Sequence, residues 1–272
     1  MWVYDKSQSI SDNKTKRTSF KIALVSFLFE SDKEKNLLSL VDAVKNAHNS
    51  GCRLICFPEC ALTGLPSEDY KTDIEMATEI PGGITDKVGH FSKADVLYIA
   101  TGLLERRDGR LYDTGILFDD MGKIILKYRR INHQWHSQNV SKNLYVEGTE
   151  FNTCSTVFGK IAFAICGDVF DDKIVRIIKE AKCDYLIVPM SRSFGEDCHN
   201  KEQWKKEEKW VYARQVARIG VTTFLINAFE PEKNGSFGGS LIISQDGDII
   251  TETEIGQPST LFYELPGLCP PY

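Results

Sequence analysis

Lys21-Ile22-Ala23-Leu24-Val25 opens the stretch that decides the fold, and Arg53-Leu54-Ile55-Cys56-Phe57 closes it. Each is a short apolar run of the kind a strand buried on both faces requires. Between them, Ser31-Asp32-Lys33-Glu34 matches a capping box, in which Ser31 and Glu34 would satisfy free backbone N–H groups at a helix start. Leu37, Leu38, Val41, Val44 and Ala47 then follow at helical spacing, and Gly51 suits the left-handed residue that closes a helix. Pro58 stops the second run because it has no N–H to give a ladder. The stretch therefore reads as strand, helix, strand, and places the chain in the α/β class.

The same grammar continues outward. Residues 95–101 read as a strand, and 112–118 with 123–129 read as a hairpin around Asp119-Asp120-Met121-Gly122. Residues 161–165 are strand-like, and Ile174, Val175, Ile177, Ile178 and Ala181 form a helical stripe. Residues 185–188 read as the next strand. Asn200 is positioned to cap a long helix carrying Trp204, Val211, Val216 and Ala217, with Gly220 to end it. Strands follow at 221–226, 239–244, 248–251 and 260–265. Helices interleaved with hairpins predict mixed sheets covered by helices. No linker rich in Pro, Gly or Ser divides the chain, so residues 19–272 read as a single domain, with the polar, aperiodic 1–18 as a flexible extension.

The 272 residues carry a net charge of −5 and are 42% hydrophobic and 26% charged. An acidic balance argues against nucleic acid or an anionic membrane as partner. No apolar run reaches the roughly 18–20 residues of a membrane span. Residues 1–17 lack the apolar core of a secretory signal, so a cytoplasmic location is expected, with reduced thiols. The eight cysteines stand at 52, 56, 60, 154, 166, 183, 198 and 269. Neither Cys52, Cys56 and Cys60 nor the pair Cys198-His199 has the short paired spacing of a structural zinc site, so no metal is expected.

Three strand ends carry polar or reactive groups: Glu59 after Phe57-Pro58, the cations of Lys127-Tyr128-Arg129-Arg130, and Cys166 after 161–165. Residues at the carboxyl ends of strands converge in α/β folds. Taken singly, each has an ordinary structural reading: a solvated loop acid, a charged sheet edge and a buried thiol.

Together, in order, they resemble the carbon–nitrogen hydrolase (nitrilase) family. Phe57-Pro58-Glu59-Cys60-Ala61-Leu62-Thr63-Gly64 is similar to the segment around that family's catalytic glutamate, and Ile165-Cys166-Gly167-Asp168 to its nucleophile motif. Gly102-Leu103-Leu104-Glu105-Arg106, Leu111-Tyr112-Asp113-Thr114, Gly122-Lys123-Ile124-Ile125, Val188-Pro189-Met190-Ser191 and Phe237-Gly238-Gly239-Ser240 resemble further family segments. The resemblance implies an α-β-β-α sandwich of two mixed sheets, a homo-oligomer (dimer or higher), no cofactor, and a small-molecule amide, ureido or related substrate cleaved through a cysteine thioester. It assigns Cys166 as nucleophile and Glu59 as general base. Gly167, Asp168 and Arg192 are expected at the substrate, Gly167 through its backbone N–H. Phe194, Glu196, Asp197 and His199 lie in the same loop as Arg192 and are candidates to line the pocket.

Two positions depart from the family pattern. The lysine expected eight residues after Gly122 is Arg130, whose fork is larger than an ammonium and does not give up a proton. Lys127 would face the opposite side of its strand. A second glutamate expected before Gly148 is replaced at the corresponding positions by Ser141 and Lys142, with Glu147 and Glu150 off register. These departures leave open a ligand- or partner-binding homologue, and the thioester chemistry leaves open acyl transfer.

Overall fold

The computed structural model describes residues 19–267, apart from 29, 31 and 233. The proposed extension 1–18 and Cys269 lie outside the described residues. Two six-stranded mixed sheets form the molecule. The first has the order β12-β1-β2-β3-β4-β5, built from β1 (Phe20–Ser26), β2 (Cys52–Cys56), β3 (Tyr98–Arg107), β4 (Arg110–Phe118), β5 (Ile124–Arg129) and β12 (Ser259–Leu265). The second has the order β11-β10-β9-β8-β7-β6, built from β6 (Thr153–Thr156), β7 (Gly159–Phe163), β8 (Tyr185–Met190), β9 (Thr222–Asn227), β10 (Ser240–Ile243) and β11 (Ile249–Glu252). In each sheet the three central strands run parallel, β1-β2-β3 and β7-β8-β9, and the flanking strands pair antiparallel.

Side-chain alternation assigns the layers. Ile22 and Leu24 of β1, with Leu54 and Cys56 of β2, face the second sheet and pack with Ile161, Phe163, Leu186 and Phe224. Ala23, Val25 and Ile55 face the other way, onto Leu37, Leu40, Val41 and Val44 of helix α1 (Lys33–Asn49). The second sheet is covered by α4 (Asp172–Ala181) and by the helical run of α5 (Lys201–Gln203), a π-helical turn (Trp204–Glu208) and α6 (Lys209–Ile219). The result is the expected α-β-β-α sandwich.

Several local expectations are corrected. The α1 cap is Asp32, whose carboxylate accepts from the N–H groups of Glu34 and Lys35, while the Ser31 partner of the expected capping box lies outside the described residues. The closing glycine is as expected, with Gly51 at φ +78°. Residue Asp95 ends a helix, α3 (Gly83–Asp95), rather than opening a strand, and the short α2 (Tyr70–Met76) precedes it. Strand β3 starts later and runs on through Gly102 to Arg107, pairing with β4 from Ile99 onward. Strand β7 stops at Phe163, so Ala164 and Ile165 are the approach to Cys166 rather than ladder residues.

Candidate active site

Glu59 follows β2 on a tight turn stitched to β3. Phe57 N–H donates to the Ala100 carbonyl, Leu62 N–H to the Gly102 carbonyl, and Leu104 N–H to Thr63 Oγ1. The turn lies so close to β3 that a Cβ on Gly102 would stand 2.6 Å from Cys60 N, which explains a glycine within a long central strand. Cys60 takes the left-handed region at φ +50°, and this sharp reversal leaves Glu59 pointing inward with 3% exposure.

Arg130 leaves β5 on the same side. It is 4% exposed, and its Nη1 donates to Glu59 Oε1 at 2.7 Å and lies 3.5 Å from Asp113 Oδ2. Burial works against the guanidinium charge, and the surrounding Glu59, Cys166, Asp113 and Asp168 outweigh it, so it stays protonated. Lys127 and Arg129, one register away on β5, reach the opposite face and clasp Glu105 instead, Lys127 at 3.2 Å and Arg129 Nη2 at 2.6 Å. Strand alternation thus turns Arg130 towards Glu59 and the other two cations away from it.

Cys166 opens a 3-10 turn (Cys166–Phe170) at the end of the β7 approach and adopts φ +47°. Left-handed backbone is costly for a residue with a Cβ and is concentrated at functional sites. Burial first, and then the charge of Glu59, push the Cys166 thiol up to about 12; Arg130 and Arg192 act in the other direction. A desolvated thiol beside a carboxylate favours its protonated form. The Ser191 backbone N–H is directed at the Cys166 sulfur.

Gly167 leaves room for the guanidinium, since a Cβ there would meet Arg130 Nη2 at 2.8 Å. Asp168, expected at the substrate, is buried among protein donors. Its Oδ1 accepts from Asn132 N–H at 2.7 Å, and its Oδ2 accepts from Ile165 N–H at 2.8 Å and the Tyr128 hydroxyl at 2.7 Å. All three donors belong to the protein and the residue is fully buried, so Asp168 ties the Cys166 turn to the end of β5.

A cavity of about 440 Å³ opens on these groups, lined by Glu59, Arg130, Cys166 and Arg192, with Leu65, Pro66, Gln134, Trp135, Ser191 and Ser193. Among the expected loop residues, Arg192 lines it, whereas Phe194 packs on Trp204 and Phe237, and His199 on Phe229. The Arg192 guanidinium lies over the Phe170 ring at 5.1 Å and adjoins Tyr212 and Cys166. Glu147 is half-buried, 3.2 Å from His136 Nε2, and does not line the cavity. Asp113, Trp135 and Tyr212 were not anticipated as site residues. For Asp113 a signal existed: it shares a strand face with Gly115 and Leu117, the face turned to the second sheet, where an acid is out of place. Among the described residues, no group of His, Cys, Asp and Glu side chains is arranged to hold a metal, and no helix is long and apolar enough to cross a membrane.

The fold agrees with comparison to known proteins. The carbon-nitrogen hydrolase family model matches residues 21–268, and the chain belongs to that family. Omega-amidase NIT2 of Homo sapiens is 27% identical over 179 residues, 63% of this chain and 63% of that protein, so the match spans under two thirds of the relative's length. Nitrilase homolog 2 of Dictyostelium discoideum is 26% identical over 255 residues, 88% of this chain and 73% of that protein. Among solved structures, an amidase of the nitrilase superfamily from Nesterenkonia AN1 superposes with a TM-score of 0.73 at 17% identity, covering 91% of this chain and 90% of that one. The glutamine-dependent NAD+ synthetase of Acinetobacter baumannii gives a TM-score of 0.75 at 18% identity, with 91% of this chain on 45% of the larger one.

Proposed function

We propose that the protein is an amidase that cleaves the C–N bond of a small non-peptide amide through a thioester on Cys166. The observation that carries the reading is the convergence of Glu59, Arg130 and a conformationally strained Cys166 on one cavity. Glu59 takes the thiol proton as sulfur attacks the carbonyl carbon, and the same proton passes to the departing amine as the C–N bond breaks. Water then attacks the thioester, giving its proton to Glu59, and the acid leaves with the sulfur reprotonated. Arg130 and the Gly167 backbone N–H are the candidate donors to the oxyanion. A related solved amidase carries the acetamide moiety of fluoroacetamide on its active-site cysteine, which supports covalent chemistry at this position.

Arg192 narrows the substrate. No carboxylate among the described residues lies within ion-pair distance of it, and its Nε has no hydrogen-bond partner there. A cation on the wall of a cavity without a counter-charge is suited to an anionic group on the amide substrate. The omega-amidase relatives make such a panel the natural one to assay. Small amides with and without a terminal carboxylate are the test, on wild type and Arg192→Met. Preference for the carboxylates in wild type alone is the expected result; equal turnover of both sets by both proteins contradicts it.

The direct ion pair of Glu59 with Arg130 favours a second reading. A base engaged by a guanidinium describes a site that binds amides without turning them over, and binding of the same panel without hydrolysis would establish it.

A further inference from the structure

The site contains a second carboxyl group for which the proposed reaction has no use. Asp113 of β4 is 2% exposed, and its Oδ1 faces the Cys60 thiol at 3.7 Å. Its Oδ2 is 3.5 Å from Arg130 Nη1, beyond good hydrogen-bond length, and finds no hydrogen-bond donor among the described residues. Glu59 Oε2 is in the same condition: buried, with no donor. Both carboxyl groups converge on Arg130 Nη1, Glu59 Oε1 at 2.7 Å and Asp113 Oδ2 at 3.5 Å, so the two acids adjoin one another.

Charge counting gives the same answer as geometry. The groups facing Asp113 are Glu59 and Cys60 from the turn after β2, Arg130 from the end of β5, and Asp168 from the turn after β7. Arg130 is the only cation in that set. Two carboxylates in contact and cut off from water do not both ionise; they hold one proton between them. Asp168 has three donors of its own, and beside it a dyad with one negative charge matches the one guanidinium. Burial, and then the charge of Glu59, hold the Asp113 carboxyl well above the usual carboxylate range, in the same direction.

We propose that Asp113 is a positioning residue, fixing Glu59 through one proton shared between Glu59 Oε2 and Asp113 Oδ2 while Arg130 balances the charge that remains. Held at both ends, Glu59 keeps Oε1 on Arg130 at the cavity wall. The shared proton belongs to the resting protein; only its effect on catalysis rests on the amidase reading.

Infrared difference spectroscopy at neutral pH tests the proton without any substrate. Wild type minus Asp113→Asn, and wild type minus Glu59→Gln, should each show the loss of one protonated carboxylic-acid carbonyl band. Absence of that band from both differences overturns the proposal, whether or not any amide is hydrolysed. The second variant keeps the test valid if the first fails to fold. Positioning is read separately from the rate of Cys166 alkylation by iodoacetamide. Asp113→Asn can still donate to Glu59 Oε2 and should stay near the wild-type rate, whereas Asp113→Ala should fall about tenfold or more as Glu59 loses its alignment. Equal rates in these two variants would overturn the positioning role.

Discussion

Arg130 donates through Nη1 to Glu59 Oε1 at 2.7 Å, and both side chains are 4% exposed. The guanidinium stands where the resemblance leads to the expectation of a lysine. Its larger fork reaches Glu59, Asp113 and the edge of Gly167 at once, and it balances two acids that would otherwise be buried without a counter-charge. Removing one partner of a buried pair costs far more than the pair is worth, because the other charge is stranded.

Arg130→Ala should therefore destabilise the fold by about 3–5 kcal/mol in urea denaturation. In whatever fraction stays folded, hydrolysis should drop by about 100- to 1000-fold through loss of an oxyanion donor. Arg130→Lys restores a compact ammonium that cannot span the three neighbours, and it should lower activity on the natural substrate. A variant as stable and active as wild type in both cases would take Arg130 out of the site.

Glu59→Gln keeps shape and removes the base. Amide hydrolysis should disappear while equilibrium binding of the amide and the circular dichroism spectrum persist. Turnover at the wild-type rate would exclude Glu59 as the proton acceptor.

The Cys166 thiol makes stability depend on alkaline pH. Burial and Glu59 raise it to about 12 in the folded protein, against about 8.5 in an unfolded chain. A raised folded value favours the protonated form, so its contribution is complete below about pH 8.5 and declines as pH rises towards 12. Within that window the unfolded chain releases a proton that the folded protein retains. Stability should then fall by about 1.4 kcal/mol per pH unit for this thiol. Cys166→Ala should show a correspondingly shallower loss between pH 9 and 10 (roughly, from the window above) in denaturant titrations. Identical slopes would mean the thiol is not held protonated.

Tyr128→Phe removes the hydroxyl that donates to Asp168 Oδ2 at 2.7 Å. The cost should be about 1–3 kcal/mol, because a buried acid loses one of three donors. Activity should fall along with stability, since Asp168 braces the turn that presents Cys166. Unchanged stability would show that Asp168 does not depend on the phenol.

The layers were legible because apolar alternation in 21–25 and 53–57 encodes burial on two faces, and the helix between them is amphipathic. What escaped notice has physical reasons. Helix α3 begins Gly83 and includes Gly89, both poor helix formers, and relies on tertiary packing of Val88 against the sheet. Strand β3 passes through Gly102, which interrupts the apolar run yet is demanded by the Glu59 turn. Strand β6 is Thr-Cys-Ser-Thr, with no apolar pattern to find. Strand ends offered Glu59, Arg130 and Cys166 only as weak candidates and the resemblance singled them out; the structure brings the three to one cavity. The Asp113 pairing could not be picked out, since it depends on which acids meet across separate strands, and one-dimensional spacing does not carry that. Asp168 was assigned to the substrate from its place beside the nucleophile, but a turn inside a sandwich turns its acid inward.

Acid quenching of the protein during turnover of a small carboxylate-bearing amide, followed by intact mass and peptide mapping, tests the central claim most directly. The account predicts a transient acyl mass on the peptide containing Cys166, and neither adduct nor product from Cys166→Ala. Hydrolysis that continues in Cys166→Ala, or an acyl group mapped to another residue, would contradict it.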